Sequence, residues 1–181
     1  MTRTNEEEWI KQLKNPSEQR LAFEQVVRVY SSQIYWQIRR MVLSHDDAND
    51  LLQNTFLKAW IHLDSFRGDA KLSTWLYRIA MNECLSFLQT KRNFETIDDL
   101  ETNIAEQLES DTYFNGEETD IMLQQALSEL PEKQRVVFNL KYYEEMKYEE
   151  MSDVLQTSVG ALKASYHFAV KKIETFFKNR D

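Results

Sequence analysis

The sequence predicts an all-α fold of two small helical domains that an acidic linker joins. Apolar residues recur at spacings of three and four along most of the chain, which is the period of an amphipathic helix. The 181 residues include only three glycines and two prolines, too few for the turns of a strand-rich fold. Residues 94–120 carry ten acidic groups and no basic one, whereas residues 1–93 and 121–181 have net charges of +2 and 0. The predicted domains are therefore residues 1–93 and 121–181, and the linker is residues 94–120.

The composition argues against several classes of protein. A hydrophobic content of 42% is enough for a packed core and argues against global disorder. The single cysteine, Cys84, excludes an internal disulfide and fits a reducing compartment. The histidines His45, His62 and His167 lie too far apart for a zinc-ligand spacing, so neither a metal nor a cofactor is predicted. An acidic, polar start and the lack of a run of about 18 apolar residues predict neither a signal peptide nor membrane insertion.

Two helices are predicted at the start of the chain. The first is short and covers Asn5–Lys14, after which Pro16 and Ser17 punctuate the sequence. The second is long and covers Glu18–Leu43, because its apolar residues keep helical spacing throughout. These apolar residues are Phe23, Val26, Val27, Tyr30, Ile34, Ile38 and Met41.

A third helix is predicted over Asp47–Trp60. Ser44 is suited to cap its N-terminus, and Asp47 follows three residues later, as in a capping box. Its apolar stripe consists of Ala48, Leu51, Leu52, Thr55, Phe56, Ala59 and Leu63. The opposite face presents Asp50, Gln53, Asn54 and Leu57. A polar face with one exposed leucine is compatible with a protein-docking surface, although composition alone favours a solvated one.

A loop and a further helix complete the first domain. The loop covers Phe66–Lys71 with Gly68 as its hinge, and the helix runs from Leu72 to about Arg92. Within the acidic linker, one helical turn is predicted near Ile104–Leu108.

The second domain is predicted to contain a helix-turn-helix. A helix over Ile121–Leu130 ends before Pro131, which is expected at the first position of the next helix. Two further helices, Tyr148–Leu155 and Val159 to about Lys178, are separated by a link of three residues. Two short helices joined in this way, the second one basic, are typical of duplex DNA binders.

The last helix has the pattern of a recognition helix. Leu162, Ala169, Val170 and Ile173 are expected to pack inward, and Ser158 starts the helix. The outward residues near a major groove would be Lys163, Ala164, His167 and Phe168, while Lys171, Lys172 and Lys178 suit phosphates. Residues 159–180 carry five basic groups and one acid. An ordinary solvated amphipathic helix remains the alternative.

The segment Phe66–Arg92 has a composition that suits single-stranded DNA. Cations at Arg67, Lys71 and Arg78 are interleaved with aromatic rings, so that bases can stack while cations hold the backbone. A flipped base could be read by Asn82 or by backbone groups of the loop. The alternative is that the rings of Phe66 and Trp75 belong to the core, which the apolar position of Trp75 favours.

Taken together, these segments resemble the extracytoplasmic-function (ECF) group of the sigma-70 family of RNA polymerase sigma factors. DANDLLQNTFLKAW resembles the group's polymerase-binding helix, and FRGDAKLSTWLYRIAMNECL resembles its −10 segment. The stretch Leu127–Glu174 resembles its −35 helix-turn-helix. The resemblance covers Phe23–Arg92 and Leu123–Phe177. It implies a non-enzymatic factor that directs core RNA polymerase to promoters with −35 and −10 elements and melts the −10 element.

The resemblance also implies partners and residue roles. Contact with the coiled-coil clamp of the largest polymerase subunit is implied for Asp50, Gln53, Asn54 and Leu57. Binding of the −10 strand and its flipped base is implied for Phe66, Arg67, Gly68, Asp69, Lys71, Arg78 and Asn82. Binding of −35 duplex is implied for Ser158, Lys163, Ala164, His167, Phe168, Lys171 and Lys172. The implied partners are bacterial core RNA polymerase, promoter DNA and an anti-sigma factor. The implied location is the bacterial cytoplasm, with nucleoid association when active.

Several positions depart from the group's usual pattern. Asn54 stands where Glu is common, and Ala164, His167 and Phe168 replace residues that are often Ser, aromatic and Arg. Lys147 replaces a usual Ser cap, at an expected cost of about 1 kcal/mol in helix initiation. Gln156 replaces a usual Gly, which costs roughly 1–2 kcal/mol if that residue is left-handed.

Three other functions compete with this interpretation, and a regulator is the main one. A stand-alone helix-turn-helix regulator with a helical sensor domain would bind duplex DNA without polymerase, but it would have no need of the Phe66–Arg92 segment. A purely protein-binding scaffold would not explain the recognition-helix pattern. An enzyme finds no support, because no nucleophile–base pair, phosphate loop or metal cluster is evident.

Overall fold

The computed structural model describes residues 3–68, 70–94 and 118–180. This part of the chain contains eight α-helices, one 3-10 turn at Leu63–Ser65 and no strand, which confirms the all-α prediction. The first four helices are α1 (Arg3–Leu13), α2 (Gln19–Val42), α3 (His45–Ile61) and α4 (Leu72–Phe94). The last four are α5 (Glu118–Ser128), α6 (Glu132–Tyr142), α7 (Tyr148–Leu155) and α8 (Val159–Lys178).

The junction of α2 and α3 follows from two adjacent residues. Leu43 is left-handed, with φ of 62°, and its N–H bonds to the carbonyl of Arg39, which ends α2. A left-handed leucine costs roughly 1–2 kcal/mol, and burial of its side chain offsets that cost. Ser44 then begins α3, since its hydroxyl accepts a 3.2 Å hydrogen bond from the N–H of Asp47. The predicted cap is confirmed.

The N-terminal half packs α2, α3 and α4 around one apolar core. Its fully buried side chains include Ile34, Ile38, Met41, Leu72, Leu76 and Met81. The ring of Phe23 on α2 meets the rings of Phe56 and Trp60 on α3 edge-on, with centroids 6.4 Å and 5.1 Å away. α1 packs against α2 and buries Leu13. The loop and α4 that carry the predicted −10 residues are therefore held on a rigid support.

The helix starts of the C-terminal half differ in detail from the prediction. Pro131 is the N-cap of α6 and not its first helical residue, because its ψ of 138° is extended. At the start of α7, the side chain of Lys147 cannot accept a hydrogen bond, because an ammonium group has no lone pair. The backbone N–H of Lys147 instead donates a 3.4 Å hydrogen bond to Glu150 Oε2. Gln156 is left-handed, with φ of 51° and ψ of 43°. A glycine, which is usual at this position, would adopt the same conformation at a lower cost in free energy.

The helices reach into both edges of the predicted linker. α4 ends at Phe94, and α5 begins at Glu118, three residues before the predicted Ile121. Residues 95–117, including the turn predicted near 104–108, lie outside the described residues.

The two halves contact each other directly. α6 packs on α2, and α7 packs on α4. One continuous apolar cluster joins buried residues of the N-terminal half to Val136, Val137, Leu140, Met151 and Val154 of the C-terminal half. A smaller cluster, with Leu127, Leu130, Ala169 and Ile173, holds α5 against α8.

Candidate nucleic-acid and protein-binding surfaces

Helix α8 presents the predicted duplex-binding residues on its exposed side. Ser158 caps the helix, because its hydroxyl accepts a 3.3 Å hydrogen bond from the N–H of Ala161. The buried side consists of Leu162, Ala169, Ile173 and Phe176. The other predicted residues are all exposed: Lys163, Ala164, His167, Phe168, Lys171 and Lys172. The sequence therefore divides this helix into one side held by the fold and one available to a partner.

The exposed side of α8 is both cationic and aromatic. The ammonium of Lys163 lies 5.6 Å from the centroid of the Tyr148 ring on α7, which steadies it beside the helix-turn-helix. The ring of His167 lies 5.9 Å from that of Phe168, which is 53% exposed. Phe168, Lys171 and Lys172 also line a cavity of about 620 Å³ between α8 and the end of α5. The surface thus offers positive charge for phosphates and apolar area for base edges.

Four of the predicted −10 residues, Phe66, Arg67, Gly68 and Arg78, line one cavity beside the loop that precedes α4, whereas Lys71 and Asn82 do not line it. A cavity of about 200 Å³ is lined by loop residues 65–68 and 70 together with Thr74, Trp75 and Arg78. Arg67, Gly68 and Lys71 are exposed, and Gly68 has a φ of 83°, a conformation that glycine adopts without strain. Asn82 is exposed on α4, two turns beyond Trp75. Asp69 lies outside the described residues.

Phe66 has a different position from the other residues of this set. Its side chain is only 6% exposed, and its ring lies 5.0 Å from that of Trp75. This arrangement matches the alternative in which Phe66 belongs to the core, so Phe66 contributes to the wall of the cavity and not to an exposed stacking surface. Trp75 is half-buried and contributes to the wall of the cavity.

Helix α3 presents the predicted polymerase-binding residues on one exposed face. Asp50, Gln53, Asn54 and Leu57 are all exposed, and Leu57 retains 58% of its accessible surface. Two apolar residues that the sequence reasoning missed, Trp60 and Ile61, extend this face and are 40% and 62% exposed. Their spacings of three and four from Leu57 were the signal that could have identified them.

The sequence reasoning also missed a set of polar contacts between the two halves. Glu144, at the turn after α6, accepts 2.7 Å hydrogen bonds at Oε2 from the amide of Gln33 and from the hydroxyl of Tyr77. Its Oε1 lies 3.7 Å from the guanidinium of Arg40. Lys71, one of the predicted −10 residues, forms a 2.7 Å ion pair with Glu150 of α7. These partners are 67–111 residues apart in sequence, so no local pattern indicated them.

No group of residues in the described part of the chain has the composition of a metal site. Within those same ranges, no helix is long and apolar enough to cross a membrane.

Comparisons with known proteins agree with the resemblance seen in the sequence. The family described as Sigma-70 region 2 matches residues 26–94, and the family described as Sigma-70, region 4 matches residues 120–173. The ECF RNA polymerase sigma factor SigW of Bacillus subtilis is 31% identical over 87% of this chain and 89% of its own length. The RNA polymerase sigma-H factor of Pseudomonas aeruginosa is 30% identical over 84% of each chain.

Two solved structures share the fold. The sigma factor RpoE of Bartonella quintana, in complex with the anti-sigma factor NepR, superposes with a TM-score of 0.70 at 23% identity. That match covers 86% of this chain and 96% of the other. CnrH, in complex with the cytosolic domain of CnrY, also gives a TM-score of 0.70, at 24% identity over 96% of this chain and 98% of the other.

Proposed function

The chain belongs to the ECF group of the sigma-70 family. From this membership we propose which surface of the chain binds each partner during promoter recognition. As a sigma factor it directs RNA polymerase to promoters and initiates transcription. Its partners are core RNA polymerase and promoter DNA. The matching families are not enzyme families, and we propose that the chain acts without catalysing a reaction of its own.

The proposed division assigns one surface to each partner. Residues 1–93 bind core polymerase through the face of α3 that carries Gln53 and Leu57, and they bind the −10 strand through the loop before α4. Residues 121–181 bind −35 duplex through the exposed side of α8. Residues 94–120 connect the two. The observation that carries this division is that α3 and α8 each leave the predicted residues exposed while burying an apolar stripe on the opposite side.

Electrostatics and stacking supply the chemistry of the DNA-binding surfaces. On α8, Lys171 and Lys172 suit phosphates, whereas Lys163 and His167 lie in the N-terminal half of the helix, where base edges come within reach. At the −10 loop, Arg67 and Arg78 flank a cavity that a single unstacked base could enter, and the amide of Asn82 can both donate and accept hydrogen bonds.

We also propose an anti-sigma partner and a location. The solved Bartonella structure of the same fold contains an anti-sigma factor, and we expect a partner of that kind for this chain. We place the protein in the bacterial cytoplasm, and at the nucleoid when it is bound to polymerase.

Co-purification tests the proposed polymerase partner. The tagged protein, purified from the lysate of exponentially growing bacteria, should bring core polymerase subunits with it.

An electrophoretic mobility shift with and without core polymerase tests the proposed function. The promoter fragment should shift stably only when the chain and core polymerase are both present, and permanganate should then detect unpaired thymines in the −10 element. A stable complex of the chain alone with duplex DNA, unchanged by core polymerase, would instead support a stand-alone helix-turn-helix regulator.

A further inference from the structure

Two carboxylates of α7 face the −10-binding surface. Glu150 pairs with Lys71 at 2.7 Å, and Asp153 lines the cavity that Arg67, Arg78 and the loop form. In the proposed function, this cationic surface receives the phosphates and one base of the −10 strand. The acidic side of α7 therefore lies where a negatively charged strand would have to approach.

A second polar contact holds the same two halves together. Glu144 is bound by Gln33, Tyr77 and Arg40, all from the N-terminal half, and its side chain is only 11% exposed. The guanidinium of Arg40 also lies 3.9 Å from the centroid of the Tyr143 ring. Hydrogen bonds to a carboxylate in such a sheltered place are stronger than those between neutral groups. Glu144 can therefore act as a latch between α2, α4 and the turn after α6.

The two helices that pack together next to this latch, α2 and α6, each carry a buried polar side chain with unmet hydrogen bonds. Gln37 of α2 is fully buried, and neither atom of its amide has a partner among the described residues. Asn139 of α6 is also fully buried, and its side-chain oxygen Oδ1 has no hydrogen-bond partner among the described residues. Each such group is destabilising while it is buried, and this penalty is lost when water reaches the group. The interface is thus held by its apolar cluster and by a few ionic contacts, while the buried polar groups offset part of this stabilisation.

We propose that the free protein is self-inhibited, because its C-terminal half closes over the −10-binding surface with Glu150 and Asp153 in the place of DNA phosphates and Glu144 as the latch. The inference rests on the proposed role of the loop and α4 in −10 binding. Opening exposes the cationic cavity and releases Lys71 for DNA. Single-stranded DNA must therefore compete with α7, and its apparent affinity for the free protein falls with the fraction of open molecules.

The test compares two double variants that lose the same charge. Glu144→Gln with Glu150→Gln removes the latch and the Lys71 ion pair, and glutamine at 150 still caps Lys147. Glu145→Gln with Glu149→Gln is the matched control, since both residues are exposed neighbours. Anisotropy of a fluorescent mixed-sequence 20-nucleotide single-stranded DNA measures affinity, and small-angle X-ray scattering measures the radius of gyration. Both use the full chain at one salt concentration.

The closed state predicts that only the latch variant expands and binds this DNA, at least about fivefold more tightly than the wild type. Equal affinities and equal radii for the two double variants would overturn the inference. Tyr77→Phe gives a second test without a change of charge, because it removes one latch hydrogen bond and keeps the ring. It should shift both measurements in the same direction by a smaller amount, and it decides the matter if the double variant does not fold.

Run-off transcription with core polymerase separates this inference from the proposed function. If the wild-type chain drives transcription but neither latch variant expands or binds DNA more tightly, self-inhibition is wrong and the function stands. If the chain supports no transcription on any promoter, the proposed function itself is wrong.

Discussion

Tyr77 of α4 donates a 2.7 Å hydrogen bond to the carboxylate of Glu144, which lies 67 residues later in the chain. Burial, and then the hydrogen bond to Glu144, raise the pKa of Tyr77 above its ordinary value, so the phenol remains a donor at any physiological pH. This one contact joins the helix that carries Asn82 to the half that carries the recognition helix. It shows that the two proposed DNA-binding surfaces are physically linked in the free protein.

Substitutions on α8 should separate sequence reading from phosphate binding. Lys163→Ala and His167→Ala should each reduce the preference for a matched −35 element, because a good base contact contributes about 1–3 kcal/mol of discrimination. Lys171→Ala should instead weaken binding to all sequences and lower the salt slope of binding by about 1. Holoenzyme affinities for matched and scrambled −35 duplexes, measured at several salt concentrations, check both. An unchanged preference in both of the first two variants would contradict the proposed base-reading role.

Asn82→Ala should impair promoter melting and spare polymerase binding. Asn82 is exposed on α4 beyond the cavity, where its amide can bond a flipped base, and it takes no part in the core. Permanganate reactivity of −10 thymines should fall, while co-purification with core polymerase stays at the wild-type level. Gln89→Ala, two turns further along the same exposed side, is the matched control. Equal melting by the two variants would remove Asn82 from the proposed site.

The double substitution Gln53→Ala with Leu57→Ala should weaken binding to core polymerase. Leu57 is 58% exposed on α3, and burying such a side chain in an interface is favourable. We expect at least a tenfold rise in Kd, which is about 1.4 kcal/mol, without a change in thermal stability. Gln25→Ala, exposed on α2, controls for the loss of a surface amide. Retention of wild-type affinity by the double variant would show that polymerase binds elsewhere.

Gln37→Met should stabilise the closed protein. Methionine has a similar shape and no polar atom to leave without a hydrogen bond, so the free energy of unfolding should rise by about 1–2 kcal/mol. Denaturant unfolding measures this change. The same variant should bind single-stranded DNA more weakly than the wild type, because the closed state is favoured. A destabilised Gln37→Met protein would show that the buried amide is satisfied in solution.

Acid should weaken the contact between Lys71 and Glu150. The hydrogen bond from Lys71 is the largest of the causes that lower the pKa of Glu150 below its ordinary value of 4.5. A carboxyl with a lowered folded-state pKa stabilises the contact fully above that ordinary value and loses this effect as the pH falls through the lowered one. The difference in radius of gyration between the wild type and Glu150→Gln should therefore be present at neutral pH and vanish in acid. If the difference in radius of gyration persisted in acid, a group other than Glu150 would be its cause.

Local patterns predicted most of the helices, because caps and apolar periodicity act within a few residues. Ser44 caps the helix that its position predicted. Ser158 stands at the predicted start of its helix, and Gln156, which replaces the Gly usual in the resembling group, is left-handed. The predicted start of α6 is one residue too early, because Pro131 fixes φ but leaves ψ free to be extended.

The contact between the two halves could not be read from such patterns. In the sequence, Glu144 and Glu150 cannot be distinguished from ordinary solvated glutamates. Their partners, Tyr77 and Lys71, lie on or next to a helix that is far away in sequence. Gln37 did carry a signal, since it lies three residues after Ile34 and four before Met41 on the buried stripe of α2. A polar residue at such a position indicates contact with another element.

Run-off transcription from a library of randomised promoters, with core polymerase and this chain as the only sigma factor, tests whether the chain directs polymerase to promoters with two elements. We expect transcripts whose templates share two conserved elements at one fixed spacing, and Lys163→Ala should alter only the upstream element. Transcripts no more abundant than with core polymerase alone, or a single element without a partner, would contradict this expectation.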